Sequence, residues 1–456
     1  MLWAQKESPA SPNAAHALRL PDAVRLSLQN YPAIRAATAQ ASAASAGVQL
    51  ARTAYLPHTE LLWQSNRATR NNILGLFFPG STPLPISGPV LGTNSGTSVW
   101  GTAAGFLFSW EPFDFGARRA KVDLARAEES RFTAAATLAQ LDTAVGAADA
   151  FLTLLASQQT VRAAKASVER SEVLLKAVDA LVQSALRPGA DAARAQAELA
   201  TAQNQLIQAE QTEQVHQLTL AEWLGMAGTA VAVQSGPLVD VQPSEAVAEG
   251  FVKNHPLAVA QSANLDIVRA RQRQLDRAYF PQFDFLASTY SRGTGALTNG
   301  QVLGGWNGLA PDTFNWAVGF TAKFRLFDFA VLREKKAVEE HHLNLESAKL
   351  DQVIQSLTTQ TGKAKADWEA SRRIAANTPV QLEAARIAER QVTARYRAGL
   401  ATLVEVADAQ RLLTQAETED SVARLRVWRA LLGLAAARGD LEPFLNEVRK
   451  VSTARP

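Results

Sequence analysis

The sequence predicts a chain of mixed α and β class, mostly helical and built as a tandem duplication. Three observations carry this. Two long alanine-rich stretches, Gly116 to Leu186 and Ala330 to Arg397, hold no cluster of glycine or proline. Two pairs of shorter segments, each pair flanking a loop rich in small and polar residues, read as strands. Landmark residues of the first half return in the second at fixed separations.

The long stretches set the scale. In the first, Leu138, Leu141, Val145, Ala148, Leu152 and Leu155 follow one another at steps of three and four. That seam asks for a helix packed on another helix. At 1.5 Å per residue the stretch makes a rod of roughly 105 Å, too long for an ordinary globular core. Its alanines let neighbouring rods approach closely.

Composition narrows the class. The 456 residues suffice for two or three ordinary domains. A net charge of +3, with 20% charged residues, gives no support to a nucleic-acid partner. The absence of cysteine excludes disulfides, Cys-ligated zinc and thiol catalysis, and suits an envelope compartment. No lipid anchor on an N-terminal cysteine is expected. No run of eighteen apolar residues occurs, so no transmembrane helix is expected. Met1-Leu2-Trp3-Ala4-Gln5 is too short for a signal peptide and is read as the tail of one. The next residues, Glu7 to Pro12, read as a flexible leader.

In chain order, Asp22 to Gln29 forms a short helix that Pro32 stops at Tyr31. A second helix runs from Ala33 to Tyr55. His58 to Arg70 and Ser98 to Trp110 are strands. In the latter, Val99, Gly101, Ala103, Gly105 and Leu107 alternate with Trp100, Thr102, Ala104, Phe106 and Phe108. The long loop between them, Asn71 to Thr97, suits an external surface. Trp63, Trp100 and Trp110, with Phe77 and Phe78, fit an interfacial aromatic girdle. A half-buried hairpin on a soluble domain fits the same segment equally. The first rod breaks at Arg187-Pro188-Gly189-Ala190. A return helix runs from Asp191 to Trp223 and stops at Gly225, and Gly228 to Pro243 is irregular.

The pattern then restarts. Asn254-His255-Pro256 follows Asn30-Tyr31-Pro32 by 224 residues, as Ala278-Tyr279-Phe280-Pro281 follows Ala54-Tyr55-Leu56-Pro57. Gln282 to Arg292 and Asp312 to Arg325 read as strands. Gly319-Phe320 and Phe327-Asp328-Phe329 follow Gly105-Phe106 and Phe113-Asp114-Phe115 by 214. The second rod breaks at Ala398-Gly399, and its return helix is expected to end at Leu432-Gly433, paired with Leu224-Gly225. Four strands cannot close a barrel, and open edges cannot sit in lipid. Membrane-embedded strands would need a barrel shared between chains. Three chains give twelve strands above a ring of paired rods.

At this point the chain resembles the TolC-like outer membrane efflux proteins, over about Leu20 to Leu434. The Asn-x-Pro starts at Asn30 and Asn254, the Phe-Asp-Phe exits at Phe113 and Phe327, and the stretch Arg395 to Gln410 carry the resemblance. It implies a homotrimer whose twelve-stranded transmembrane β-barrel, four strands per chain, continues into a long periplasmic α-helical barrel. It implies an outer membrane location in a Gram-negative bacterium, lipid contact, a periplasmic adaptor (membrane fusion protein) and an inner-membrane pump or transporter. The expected role is the passive exit duct of a tripartite efflux or type I secretion system. On this assignment residues 1–19 are leader, and 20–57, 116–227, 254–281 and 330–434 form the helical barrel. Residues 58–115 and 282–329 are the membrane hairpins, and 228–253 and 435–456 are equatorial segments.

The resemblance also places site residues. Glu405 and Asp408 fall where the family carries acids lining a narrow periplasmic entrance, a ring that would favour cations. Tyr396 matches a tyrosine that helps hold the entrance closed. Its usual partners are absent, because Ala401 stands where a basic residue can occur and Ala195 where an acidic one can. Gly189 and Gly399 are expected in helix-ending conformations at the adaptor-contact tips, with Arg187 and Arg397 exposed beside them. Trp63, Trp100, Trp110 and Trp316 are the expected membrane-interface aromatics. An enzyme is not expected, and no cofactor. His342 and Glu346, four apart on a helix, are a weak metal pair, and the sequence holds no phosphate-binding loop or nucleophile elbow. The rival reading is a periplasmic coiled-coil scaffold or adaptor without a pore.

Overall fold

The computed structural model describes residues 17–69, 96–184, 187–229, 231–234, 236–243, 252–297, 299, 301–324 and 327–453. Outside the described residues lie the expected leader up to residue 16, Arg70 and nearly all of the 71–97 loop with Phe77 and Phe78. So do Leu186 at the end of the first rod, Arg325, residues 244–251 of the first equatorial segment and residues 454–456. The chain divides into two compact units. One comprises residues 1–42, 130–264 and 346–456, the other 43–129 and 265–345.

The first unit is helical. Helix α1 (Leu20–Asn30) carries proline and Asp22 in its first turn. It ends at an extended Tyr31, as the proline that follows requires. Pro32 opens α2 (Pro32–Thr53), which continues into the second unit. The rods are α3 (Ala117–Gln183) and α6 (Phe329–Arg397), of 67 and 69 residues. The return helices are α4 (Gly189–Trp223) and α7 (Leu403–Arg438). Helix α5 (Pro256–Arg277) is the second copy of α2, and α8 (Glu442–Thr453) closes the described chain.

The core gathers where these helices cross. Ala148, Leu152 and Leu155 of the expected seam are buried, and Leu141 and Val145 pack against the same cluster. Ala144, Phe151 and Leu154 are buried too. The apolar stripe of α3 therefore widens here beyond a two-position seam, as a helix surrounded by partners requires. Those partners are Leu20 and Val24 of α1, Leu220 of α4, Trp428 and Leu431 of α7, and Phe444 and Val448 of α8. Trp428 donates its indole N–H to the Val241 carbonyl at 3.0 Å and meets Phe444 edge-on at 6.4 Å. By composition α3 carries an eighteen-residue stretch apolar enough to cross a membrane, and half of it is buried in the protein.

The structure corrects the repeat register. Helices α4 and α7 begin 214 residues apart, at Gly189 and Leu403. The left-handed glycines after them, Gly225 (φ 69°) and Gly439 (φ 79°), are also 214 apart. The second return helix therefore does not end at Leu432-Gly433. It runs on to Arg438, because Leu432, Leu434 and Ala435 belong to the core. One register of 214 holds from the second strand of each pair to the end of each return helix. The ten-residue drop from 224 falls within the strand pairs. The second rod also passes through Pro379 without ending.

The second unit holds one antiparallel sheet in the order β1 (His58–Thr69), β2 (Ser98–Phe113), β3 (Gln282–Thr294), β4 (Thr313–Lys323). At the exit from β2, Phe115 adopts φ 49° and Gly116 φ 88°, which turns the chain into α3. Asp114 accepts from the backbone N–H of Gly116 at 3.0 Å and of Arg118 at 2.6 Å, and from Arg118 Nε at 2.9 Å. The guanidinium also lies over the Tyr55 ring at 4.9 Å. The second copy has Leu332 in place of Arg118, so this clamp belongs to the first exit alone.

Candidate functional site

Two places carry the predicted residues: the rod tips of the first unit and the sheet of the second.

At the tips, Tyr396 is 2% exposed and packs with Leu174, Val178, Ala195, Ala401, Leu403 and Val406. The two alanines that replace its expected polar partners are in this cluster. A different cation reaches the tyrosine. Arg187 lies over its ring at 4.7 Å and donates to its carbonyl at 3.1 Å and to that of Ala401 at 3.4 Å. Arg187 was expected to be exposed, but it is half-buried and joins the two tip turns. The fork of a guanidinium suits this task, since it can satisfy carbonyls left over at a helix end. The Tyr396 hydroxyl is enclosed, and among the described residues no group meets it at strict hydrogen-bond geometry. Burial first, and then the nearby Asp191 carboxylate, push its pKa up.

Gly399 has the left-handed conformation expected of it, φ 78°. Gly189 does not. It is the first residue of α4, after an extended Pro188. A proline-led turn enters a helix without needing positive φ, so this glycine is not conformationally required. Gly189, Arg397 and Gly399 are all exposed, and so is Leu400, 70% exposed between the latter and Ala401. Sequence reasoning passed over Leu400; an apolar residue directly after a helix-ending glycine is the signal that could have found it.

Glu405 and Asp408 both lie on the exposed side of the first turns of α7. Glu405 has a local task. Its carboxylate accepts from the Thr402 N–H at 3.1 Å and hydroxyl at 2.9 Å, and the Thr402 hydroxyl accepts from the Glu405 N–H at 3.3 Å. This is a capping box. The Thr402 backbone bond, then its hydroxyl, hold the carboxyl below the usual glutamate range. Asp408 pairs with Arg411 at 2.6 Å, and Arg411 lies 3.9 Å from Glu198.

The sheet sorts its side chains by register. Leu61 faces Phe106, Phe106 faces Thr289 and Thr289 faces Trp316, so one row crosses all four strands. Trp63, Trp100, Trp110 and Trp316 all lie on this row's face, as do Phe108, Phe285, Phe314, Val318 and Phe320. Trp63 is 75% exposed and Trp316 72%. The opposite face carries Glu60, Gln64, Asn66, Asp284, Asn315 and Lys323, with small residues at Gly101, Ala103 and Gly105. There Lys323 and Asp284 pair at 2.7 Å. A sheet that exposes its aromatic face, with Arg67 on it, and carries Glu60, Asp284, Arg292 and Lys323 on the other inverts the pattern of a water-soluble sheet.

His342 and Glu346 do not form a pair. His342 Nδ1 lies 3.6 Å from Glu339, and Glu346 accepts from Gln261 and Lys349, each at 2.7 Å. Among the described residues no group of three potential ligands could hold a metal ion.

Comparison with known proteins agrees with this geometry. The model of a family described as outer membrane efflux protein matches residues 23–226 and 251–440. The pyoverdine export outer membrane protein OpmQ of Pseudomonas putida is 26% identical over 307 residues, 64% of this chain. The match spans 60% of that relative's length. Among solved structures, the Campylobacter jejuni CmeC outer membrane channel superposes with a TM-score of 0.76 at 13% identity, covering 95% of this chain and 89% of that one. The open state of the Neisseria gonorrhoeae MtrE outer membrane channel gives 0.74 at 19%, covering 92% and 89%. With the family matched across both halves of the duplication, the chain belongs to the outer membrane efflux protein family and is an outer membrane protein.

Proposed function

We propose that the chain is one protomer of a homotrimeric outer membrane channel, the passive exit duct of a tripartite efflux or type I secretion system. The observation that carries this is the four-stranded sheet with its aromatic face exposed and its edges β1 and β4 unpaired among the described residues of the single chain. Strands of 11 to 16 residues are long enough to cross the hydrocarbon core at a tilt. Edges cannot remain open in lipid, so β4 of one copy pairs with β1 of the next until twelve strands close. Residues 58–115 and 282–329 are the membrane hairpins in this reading, and the helical segments form the periplasmic barrel.

The tips dock a periplasmic adaptor, with Gly189, Arg397, Gly399 and Leu400 as the accessible residues. Arg187 supports that surface from behind. Glu405 and Asp408 line the entrance, and Tyr396 with Arg187 sets its resting conformation. The energy for transport comes from the inner-membrane partner, which also selects the cargo. The relative named for pyoverdine export supports export as the direction. The chain does no chemistry of its own in this scheme.

The test is reconstitution into a planar bilayer. Purified protein inserted from one side is expected to give discrete conductance steps, altered by Glu405→Lys or Asp408→Lys from the tip side. Protein that binds the bilayer but conducts no ions would overturn the duct reading.

A further inference from the structure

The described part of the loop between β3 and β4 folds back on β2. The Gly295 N–H donates to the Trp100 carbonyl at 2.9 Å, the Leu303 N–H to the Gly295 carbonyl at 2.8 Å, and Ala296 bridges Val302. Gly308, at φ 94°, passes so close to the Trp100 carbonyl that a Cβ there would lie 2.3 Å from it. This packing holds Trp306 against Trp100, ring centroids 6.5 Å apart and planes 8° from parallel. On the same strand pair Arg67 stands directly opposite Trp100. Its guanidinium lies 5.5 Å from that ring's centroid, and its Nε donates to Ser98 Oγ at 3.0 Å.

Three features give this cluster a direction. Arg67 and Trp100 lie on the aromatic face with Trp63 and Trp316. They sit at the end of the sheet where the hairpin loops are, because α2, α3, α5 and α6 all join the strands at the other end. Trp306 is 79% exposed despite being held in place. A guanidinium and a flat, preorganised indole at the loop-side rim of a lipid-facing surface suit a ligand with an anionic group beside a ring that can stack.

We propose that Arg67, Trp100 and Trp306 form a headgroup site for a phosphorylated glycolipid of the outer leaflet. Arg67 meets a phosphate with charge-assisted N–H donors. Trp306 offers its ring to the apolar face of a sugar, with the aromatic belt below continuing onto the acyl chains. The site is continuous with the membrane face and rests on the reading of this sheet as a transmembrane one. It would fix the depth of the barrel and hold the β3–β4 loop at the rim.

The test is native mass spectrometry of the full chain purified in mild detergent, after a delipidating wash and titration with a purified phosphorylated glycolipid. Wild type is expected to retain the lipid. Arg67→Gln and Trp306→Ala are each expected to weaken retention by about tenfold or more, the weight of one charge-assisted contact. Trp110→Ala, at the other end of the same face, is expected to retain lipid like wild type. Unchanged bilayer conductance checks that each variant is folded. Conducting variants that retain lipid like wild type overturn the site. Inorganic phosphate that displaces the lipid at equal concentration overturns the glycolipid assignment. A wild type that inserts and conducts but keeps no lipid overturns this site alone, whereas one that does not insert overturns the channel reading with it.

Discussion

At the scale of single residues, the tip turn shows how local chemistry positions a candidate entrance. Thr402 and Glu405 satisfy each other's backbone donors at the start of α7. Thr402→Ala is expected to cost about 1 kcal/mol of local stability. Faster proteolytic cleavage between α6 and α7 would register it. Because hydrogen bonding holds the Glu405 carboxyl below its ordinary value, its contribution has a defined pH sense. The stabilisation is present above the unfolded value of about 4.3 and is lost as the pH falls through the lower folded value. Tip protection should therefore weaken on acidification in the wild type, and Glu405→Gln should remove that pH dependence. In the core, a Cβ on Gly146 would lie 2.5 Å from the Trp223 ring, which stacks on Tyr31 at 5.2 Å. Gly146→Val is expected to destabilise by about 1–3 kcal/mol through overpacking, seen as a lower denaturation midpoint with loss of Trp223 fluorescence anisotropy.

At the scale of elements, the two faces of the sheet make opposite predictions. Val318 belongs to the aromatic face, and its neighbour Ala317 to the polar one. An arginine at Val318 is expected to cost about 2–4 kcal/mol if it reaches the middle of the bilayer. An arginine at Ala317 should fold normally and alter conductance. Equal stability of the two variants, measured by urea unfolding in lipid vesicles, would contradict a lipid-facing role for the aromatic face. This is also the scale at which the sequence was most legible. Period-two alternation locates strands because the pleat forces it, and the rods declare themselves by length and by the steps of their apolar residues. The end of the second return helix was not legible. A Leu-Gly pair at Leu432 looks like the helix stop at Leu224, and only packing shows that Gly433 lies inside a helix whose flanking leucines are core. Gly189 misled for a related reason. A glycine near a break suggests a left-handed turn, but Pro188 had already set the entry to α4. Arg187 had no sequence signature for its burial, since its partners are two carbonyls and a ring 209 and 214 residues away.

At the scale of the whole molecule, the duplication is the organising fact. One register of 214 residues relates β2 to β4, α3 to α6 and α4 to α7, so the run from strand to rod to return helix recurs in each half. Two such halves supply four strands and leave two edges, which three copies would close into one barrel with twelve strands. The halves are not chemically identical. The Arg118 clamp belongs to the first and the Thr402 capping box to the second. The most direct test of the trimeric-channel account is low-resolution imaging of the detergent-solubilised particle. The account predicts a threefold cylinder with an axial cavity, a helical section roughly 100 Å long and a detergent belt near one end. A thin rod with neither cavity nor belt would contradict it and favour a pore-less periplasmic scaffold.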